Sequence, residues 1–180
     1  MTARPAARSG GLFVGRLTIE SGIGTLVEAL DLYPGARIDV IGAGPEQAIL
    51  QAHPHARLLG RLATDEMHER MRRAAYLVMP SLSYEAQPRA IIEAFANGLP
   101  VIASRLGGLL EYIEPGRNGL LFEPGSASDL ARRLAWAEAF PEKMRQMGEC
   151  AQADYHARFV ADWGWQRLYG ERRRHARALV

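Results

Sequence analysis

Glu85 and Glu93, separated by seven residues, are the side chains best placed to do chemistry in this sequence. Ala86, Gln87, Pro88 and Arg89 lie between them. An apolar run ends at Pro80, and Pro88 can occupy the first turn of a helix that reaches Asn97 and is capped by Gly98. Glu85 then falls in a loop before the helix, and Glu93 on its side about one and a half turns in. Two carboxylates so arranged could hold separate parts of one hydroxyl-rich ligand, while free amides between them receive an anion.

The elements that must position this pair alternate along the chain. Apolar runs at 12–15, 38–41, 56–59, 76–79, 101–103 and 119–122 read as short strands, several closed by glycine or proline. Helical spacing of Ile23, Leu26, Val27 and Leu30 sets a helix over 21–33, and a short one follows over 46–53. Thr64 is the expected cap of a helix to Arg73, with Asp65 and Glu66 in its first turn. Ser126 and Asp129 resemble a capping box before a helix to about Phe140. Residues 141–155 and 157–178 read as two further helices. Apolar strands separated by helices specify an α/β fold, a Rossmann-like parallel sheet with helices on both faces. Ligands of such sheets bind beyond the carboxyl ends of the strands, so the loops starting at Gly15, Gly42, Gly60, Pro80 and Ala103 are the ones to watch.

Composition removes several function classes. A length of 180 residues fits one domain, and 48% hydrophobic with 23% charged residues is ordinary for a globular protein. A formal charge of +2 is too balanced to mark a nucleic-acid binder. The single cysteine, Cys150, can form no internal disulfide, and the five histidines lack zinc-type spacing. Residues 1–10 read as a disordered lead or linker remnant without a secretory core, and no apolar run is long enough to cross a bilayer. A reducing, cytoplasmic location follows as the expectation, with the inner face of the cell membrane as the second placement.

From Pro80 to Gly108 the sequence resembles the retaining glycosyltransferases of the GT-B fold, a superfamily that includes many bacterial polysaccharide and lipopolysaccharide transferases. Its two glutamates are met by Glu85 and Glu93, and its E-A-x-A-x-G-x-P-V run by Glu93 through Val101. Gly107-Gly108 and Glu111 fall where the family has G-G-x-x-E. Upstream, Phe13-Val14-Gly15-Arg16-Leu17, Gly42-Ala43-Gly44-Pro45 and Leu59-Gly60-Arg61 match its F-V-G-R-L, G-x-G-P and L-G-R segments. Downstream, Asn118-Gly119-Leu120-Leu121-Phe122 and Pro124-Gly125 match its N-G-x-L-x-x-P-G run. The segments fall in the family's order, and the resemblance covers roughly residues 11–170.

The resemblance implies one half of a GT-B fold, the C-terminal donor-binding domain, over 11–156, with 157–180 as the helix that in the family crosses to the N-terminal domain. It also implies roles. Glu93 would bind ribose hydroxyls. Glu85 would contact the donor sugar near its reacting carbon, and Arg16, beside Gly15, would pair with the diphosphate; these two are the catalytic candidates. Backbone groups at Gly60 and Arg61 would hold the base, and the amides of Ala86 and Gln87 would meet sugar or phosphate. The substrate would be a UDP- or GDP-sugar, with no metal or cofactor required, because arginine, lysine and helix amides neutralise the leaving diphosphate. The family's lysine, five residues after its arginine, is replaced by Ser21. Arg89, in the first turn of its helix, is the candidate to supply the missing charge; its alternatives are solvent or an ion pair with Glu85 or Glu93.

Other readings compete at single positions. Arg61 is equally a surface arginine, and Glu111 equally a brace for a following helix. The triple arginine Arg172-Arg173-Arg174 is a solvated helix face, with peripheral attachment to an anionic membrane as its second reading. A dinucleotide site at Gly42-Ala43-Gly44 fails because Gln47 stands where the third glycine belongs. A non-catalytic nucleotide-sugar-binding or partner-binding module is the alternative to an enzyme. Two further expectations concern the missing acceptor-binding N-terminal domain. The isolated chain should transfer no sugar. The last helix, bearing Phe159, Val160, Trp163, Trp165 and Leu168, should pack poorly or self-associate.

Overall fold

The computed structural model describes residues 7–83 and 89–160. Six strands, β1 (Gly11–Val14), β2 (Ile38–Ile41), β3 (Ala56–Gly60), β4 (Tyr76–Met79), β5 (Val101–Ser104) and β6 (Gly119–Phe122), form one parallel sheet in the order β3-β2-β1-β4-β5-β6. Register is set by pairs such as Gly11 with Ile38, Leu12 with Leu77, and Ile102 with Leu120. The connecting helices are α1 (Ile23–Leu32), α2 (Gln47–Gln51), α3 (Thr64–Arg73), α4 (Arg89–Ala96), α5 (Ala127–Ala139) and α6 (Pro141–Tyr155).

Alternation along each strand divides the core between the two faces. Phe13, Val78, Ile102 and Leu120 turn to one face, where α1 and α5 lay Ile23, Leu26, Leu30, Leu130 and Leu134 over them. Leu12, Leu77, Val101 and Leu121 turn to the other, under Met71 of α3 and Ile91, Ala94 and Phe95 of α4. Helix α6 starts against the first core with Met144 and Met147 and ends against the second with Ala151. Burying each large apolar side chain contributes roughly 1.5–3 kcal/mol, which is why apolar strands at this spacing select a covered sheet. The edge strand β3 is the exception in composition: Arg57 is exposed and forms a two-point ion pair with Asp39 of β2, at 2.8 and 2.7 Å.

Local details correct the sequence reading. The cap of α3 is Ala63 rather than Thr64; alanine has no side-chain acceptor, and the Glu66 carboxylate instead accepts the Ala63 amide proton at 3.2 Å. Ser126 does cap α5, accepting from the Asp129 amide, but the Asp129 carboxylate reaches back to the Glu123 amide. Between Glu111 and β6 there is no α-helix: a single 3-10 turn, Gly107–Leu109, precedes Glu111, and the next helix, α5, comes only after β6. Order also begins before residue 11. The Arg8 guanidinium donates to the carbonyls of Met71, Ala74 and Asn97 at 2.9, 3.3 and 2.7 Å, closing the carboxyl ends of α3 and α4 where the helix dipole favours a cation. Of the expected last helix, 157–178, only 157–160 lie within the described residues, in the π turn His156–Val160; Trp163, Trp165 and Leu168 lie outside them.

The Asn118-Gly119 turn is tied to α6 by polar contacts. Buried Asn118 donates to Tyr112 O at 3.0 Å and to Asp154 Oδ2 at 2.8 Å, and Arg117 clamps the same carboxylate through two nitrogens. Chiefly the Arg117 hydrogen bond, aided by Asn118 and opposed by burial, holds the Asp154 carboxyl below the ordinary aspartate range. A depressed folded-state pKa contributes stability above the unfolded value, near 3.9, that is lost as pH falls through the folded value. Asp154→Asn is therefore expected to lower Tm at pH 7. The gap to the unsubstituted chain should narrow below about pH 4. Thermal melts at pH 7 and 3 check this, and an equal gap at both would contradict it.

Candidate functional site

Strands β1 and β4 are neighbours, yet their connections leave in opposite directions, α1 over one face and α4 over the other. This is the switch point of the sheet, where a crevice opens beyond the carboxyl ends of the strands. The loop from Gly15 to Gly22 forms one wall, and residues 80–83 with the start of α4 form the other.

The first wall is a shelf of backbone. Gly15 N donates to Ile41 O at 3.0 Å, Leu17 N to Ala43 O at 3.1 Å, and Gly42 N to Gly60 O at 2.8 Å. The loops after β1, β2 and β3 therefore run side by side. Glycine is required where they touch. Gly42 has φ +143°, and a Cβ there would lie 1.8 Å from Gly15 O; one on Gly44 would lie 2.3 Å from Leu17 O. The Gly42-Ala43-Gly44-Pro45 turn thus serves close packing of backbones, and the helix after it has only five residues. Both observations run against a dinucleotide site. Gly60 sits at this edge with φ +71°, followed by exposed Arg61.

The two walls are joined. Leu82 N donates to Glu20 O at 2.8 Å, and Gly22, with φ +76°, lies so close to Pro80 that a Cβ would meet its carbonyl oxygen at 1.8 Å. Arg16 is exposed on the first wall. Glu20 beside it is held below the ordinary glutamate range by its own backbone amide, then by Thr18, with Arg16 adding a smaller Coulombic contribution. Ser21 does not stand free: its hydroxyl is 3.1 Å from Thr18 Oγ1, which also accepts the Ser21 amide at 3.3 Å. On the second wall, Arg89 Nε lies 3.3 Å from Glu93 Oε1, one helical turn apart, with the Glu93 side chain 19% exposed. The ion-pair alternative for Arg89 is thus the contact this structure contains. Glu85, Ala86 and Gln87 lie outside the described residues.

The structure adds Arg105, which follows β5 directly, is exposed, and has no ion-pair partner among the described residues. Its position in an Ala-Ser-Arg-Leu-Gly-Gly stretch at a strand's carboxyl end was the available signal. Glu111 is exposed, and its carbonyl accepts from Arg158 at 3.1 Å. Four arginines, Arg16, Arg61, Arg89 and Arg105, thus sit on loops or a helix start at the carboxyl ends of the sheet. Such an arrangement is suited to a polyanion, with Glu93 as the hydrogen-bond acceptor for a neutral polyol. Among the described residues no group of three or more His, Cys, Asp or Glu is arranged to hold a metal ion, and no helix is long and apolar enough to cross a membrane.

The family model described as glycosyl transferases group 1 matches residues 11–154. The chain belongs to this family. Among its relatives, a sulfoquinovosyl transferase of Arabidopsis thaliana is 35% identical over 129 residues, covering 68% of this chain and 25% of that protein. The solved sucrose-phosphate synthase of Thermosynechococcus elongatus superposes with a TM-score of 0.78 at 27% identity, over 98% of this chain and 47% of that one. The C-terminal domain of a group 1 glycosyl transferase, LpcC of Francisella tularensis, has the same fold, with a TM-score of 0.69 at 24% identity over 84% of this chain and 86% of that domain. The chain therefore spans a quarter to a half of the longer relatives and has the fold of the C-terminal half of a GT-B glycosyltransferase.

Proposed function

We propose that this glycosyltransferase chain binds the nucleoside diphosphate of a UDP- or GDP-sugar at the β1/β4 crevice. It would serve as the donor half of a retaining enzyme that transfers the sugar to an acceptor hydroxyl, in cell-envelope glycan synthesis at the cytoplasmic face of the membrane. The observation that carries this reading is the pairing of walls: a shelf of backbone and Arg16 on one side, Glu93 and Arg89 on the other. Glu93 accepts from the ribose hydroxyls. Arg16 and Arg89 neutralise charge on the departing diphosphate, and Glu85 contacts the sugar near its reacting carbon. Catalysis is then electrostatic stabilisation and positioning, with same-face attack assisted by the leaving phosphate. No metal enters this scheme, and the acceptor-binding surface belongs to a separate N-terminal domain.

The direct test is calorimetry of the chain against UDP, GDP, ADP and their sugars. Saturable binding of at least one diphosphate is expected, with no transfer to an added acceptor. Absence of binding up to ~1 mM would overturn the site, because even weak specific recognition exceeds that threshold. One observation favours the alternative, a binding module without turnover: the side chain at position 21 is a serine held by Thr18, not a cation. Failure to transfer sugar after reconstitution with an acceptor domain, while binding persists, would select it.

The same serine sets a sharper expectation for Arg89. Its ion pair with Glu93 is exposed on the arginine side, so diphosphate can take over the guanidinium at small cost. Arg89→Ala should weaken UDP binding by roughly tenfold while hardly changing uridine binding, and Ser21→Lys in that background should recover much of the loss. Equal effects on both ligands would place Arg89 outside the diphosphate site.

A further inference from the structure

At the opposite end of the sheet a cleft of about 620 Å³ opens beside the amino ends of β1, β2 and β3. Its walls come from the segments just before these strands, the last turn of α3, and Glu138 near the end of α5. Four arginines line it, Arg37, Arg57, Arg70 and Arg73, against two carboxylates, Asp39 and Glu138. Both carboxylates are engaged. Asp39 is held by two of the three Arg57 nitrogens and lies 3.7 Å from Arg70, and Glu138 accepts the hydroxyl of buried Tyr76 at 2.7 Å. Arg37 has no ion-pair partner among the described residues. One carboxylate shared by two guanidinium groups leaves most of the five donors on each unsaturated. The C-terminal dipole of α3 would ordinarily repel an anion here, but Arg8 already binds the carbonyls of Met71 and Ala74. His55 also lines the cleft, and its Nδ1 is buried without a hydrogen-bond partner among the described residues.

We propose that this cleft is a second binding site, distinct from the switch-point crevice, for a phosphate ester of a small polyol. Arg37 and Arg70 take the phosphate, and the accessible part of the half-buried His55 ring takes a hydroxyl. The volume falls within the range of small-molecule sites, roughly 300–1,000 Å³. Concavity favours a free ester over the headgroups of a flat bilayer, which carry the same chemistry.

The test is a titration of the chain with glycerol 3-phosphate and with inorganic phosphate, followed by NMR at the His55 ring and Arg37 side chain. Saturable shifts below ~10 mM are expected, unchanged by excess UDP. Arg37→Ala/Arg70→Ala should weaken them at least about tenfold, while Arg132→Ala on α5 leaves them intact. Both arginines are solvent-accessible, so the double variant should retain its amide spectrum; if it does not, Arg37→Glu alone should abolish the shifts. The proposal is overturned by no saturable shift, by displacement with UDP, by insensitivity to the arginine changes, or by binding seen only with phosphatidylglycerol vesicles.

Discussion

Glu93→Gln is expected to weaken UDP binding by about a hundredfold or more while leaving inorganic pyrophosphate binding unchanged or slightly tighter. The first half follows from what a carboxylate does for a ribose. It can accept from both neighbouring hydroxyls, and a hydrogen bond to a charged group is worth about 1.5–3 kcal/mol, so losing two such bonds approaches 3–4 kcal/mol. The second half follows from Arg89, which shares Glu93 Oε1 at 3.3 Å in the unliganded chain. Neutralising position 93 frees that guanidinium for phosphate. A merely structural role for Glu93 would weaken both ligands together. The discriminating measurement is a cycle with 2′-deoxy- and 3′-deoxy-UDP. Each should bind the unsubstituted chain less well than UDP, and the variant about as well as UDP. If Glu93→Gln binds UDP normally, or loses pyrophosphate equally, the assignment of Glu93 to the ribose is wrong. The side chain is partly exposed and belongs to no buried network beyond Arg89, so the fold should survive the change.

The same pair illustrates what could be read without coordinates. Pro88 and Gly98 bound a helix in the sequence, and Arg89–Ala96 is a helix, because Ile91, Ile92, Ala94 and Phe95 supply an apolar face that the sheet buries. All six strands were likewise legible: five are short apolar runs that burial on both faces demands, and the edge strand β3 was marked by Leu58-Leu59 and the closing Gly60. The misses are of another kind. Arg8 closes helix ends more than sixty positions away, and Arg117 and Asn118 meet Asp154 across more than thirty. Such contacts depend on which loops the topology brings together, and no local period announces them. Thr64 looked like a cap by residue type, but the helix begins one residue earlier because the Glu66 carboxylate satisfies the Ala63 amide. Within the site, Gly42 and Gly44 were recognisable as a turn, but not their reason, which is the approach of the Gly15–Leu17 backbone. The second cleft gave no motif at all. Its arginines come from positions 37, 57, 70 and 73, and only the parallel order of β1 to β3 gathers them.

Gly22→Ala is expected to be among the most damaging single-methyl changes in the chain, and Gly24→Ala, two residues on in the same helix start, among the most harmless. Gly22 caps α1 in the left-handed region, at φ +76°, which alone costs an L-residue about 1–2 kcal/mol. The added Cβ would sit 1.8 Å from Pro80 O and 2.6 Å from Pro80 C. Those are backbone atoms at the end of β4 and cannot rotate aside. Relief requires separating the two walls of the crevice and stretching the Leu82-to-Glu20 hydrogen bond that joins them. The combined cost should reach ~3 kcal/mol or more, which for a chain of this length lowers Tm by roughly 6–12 °C. Gly24 has nothing within 4 Å of its own Cβ position and carries no positive φ, so alanine there should be neutral or stabilising by up to ~1 kcal/mol. Function should follow the same split. Parting the walls moves Arg16 away from Glu93, so UDP affinity falls in Gly22→Ala even at temperatures where the variant is fully folded, and stays unchanged in Gly24→Ala. Thermal melts and calorimetry on the two variants separate the outcomes. A Gly22→Ala chain as stable as its parent would mean that the two loops do not make the close contact described, and with it the two-walled crevice would fall.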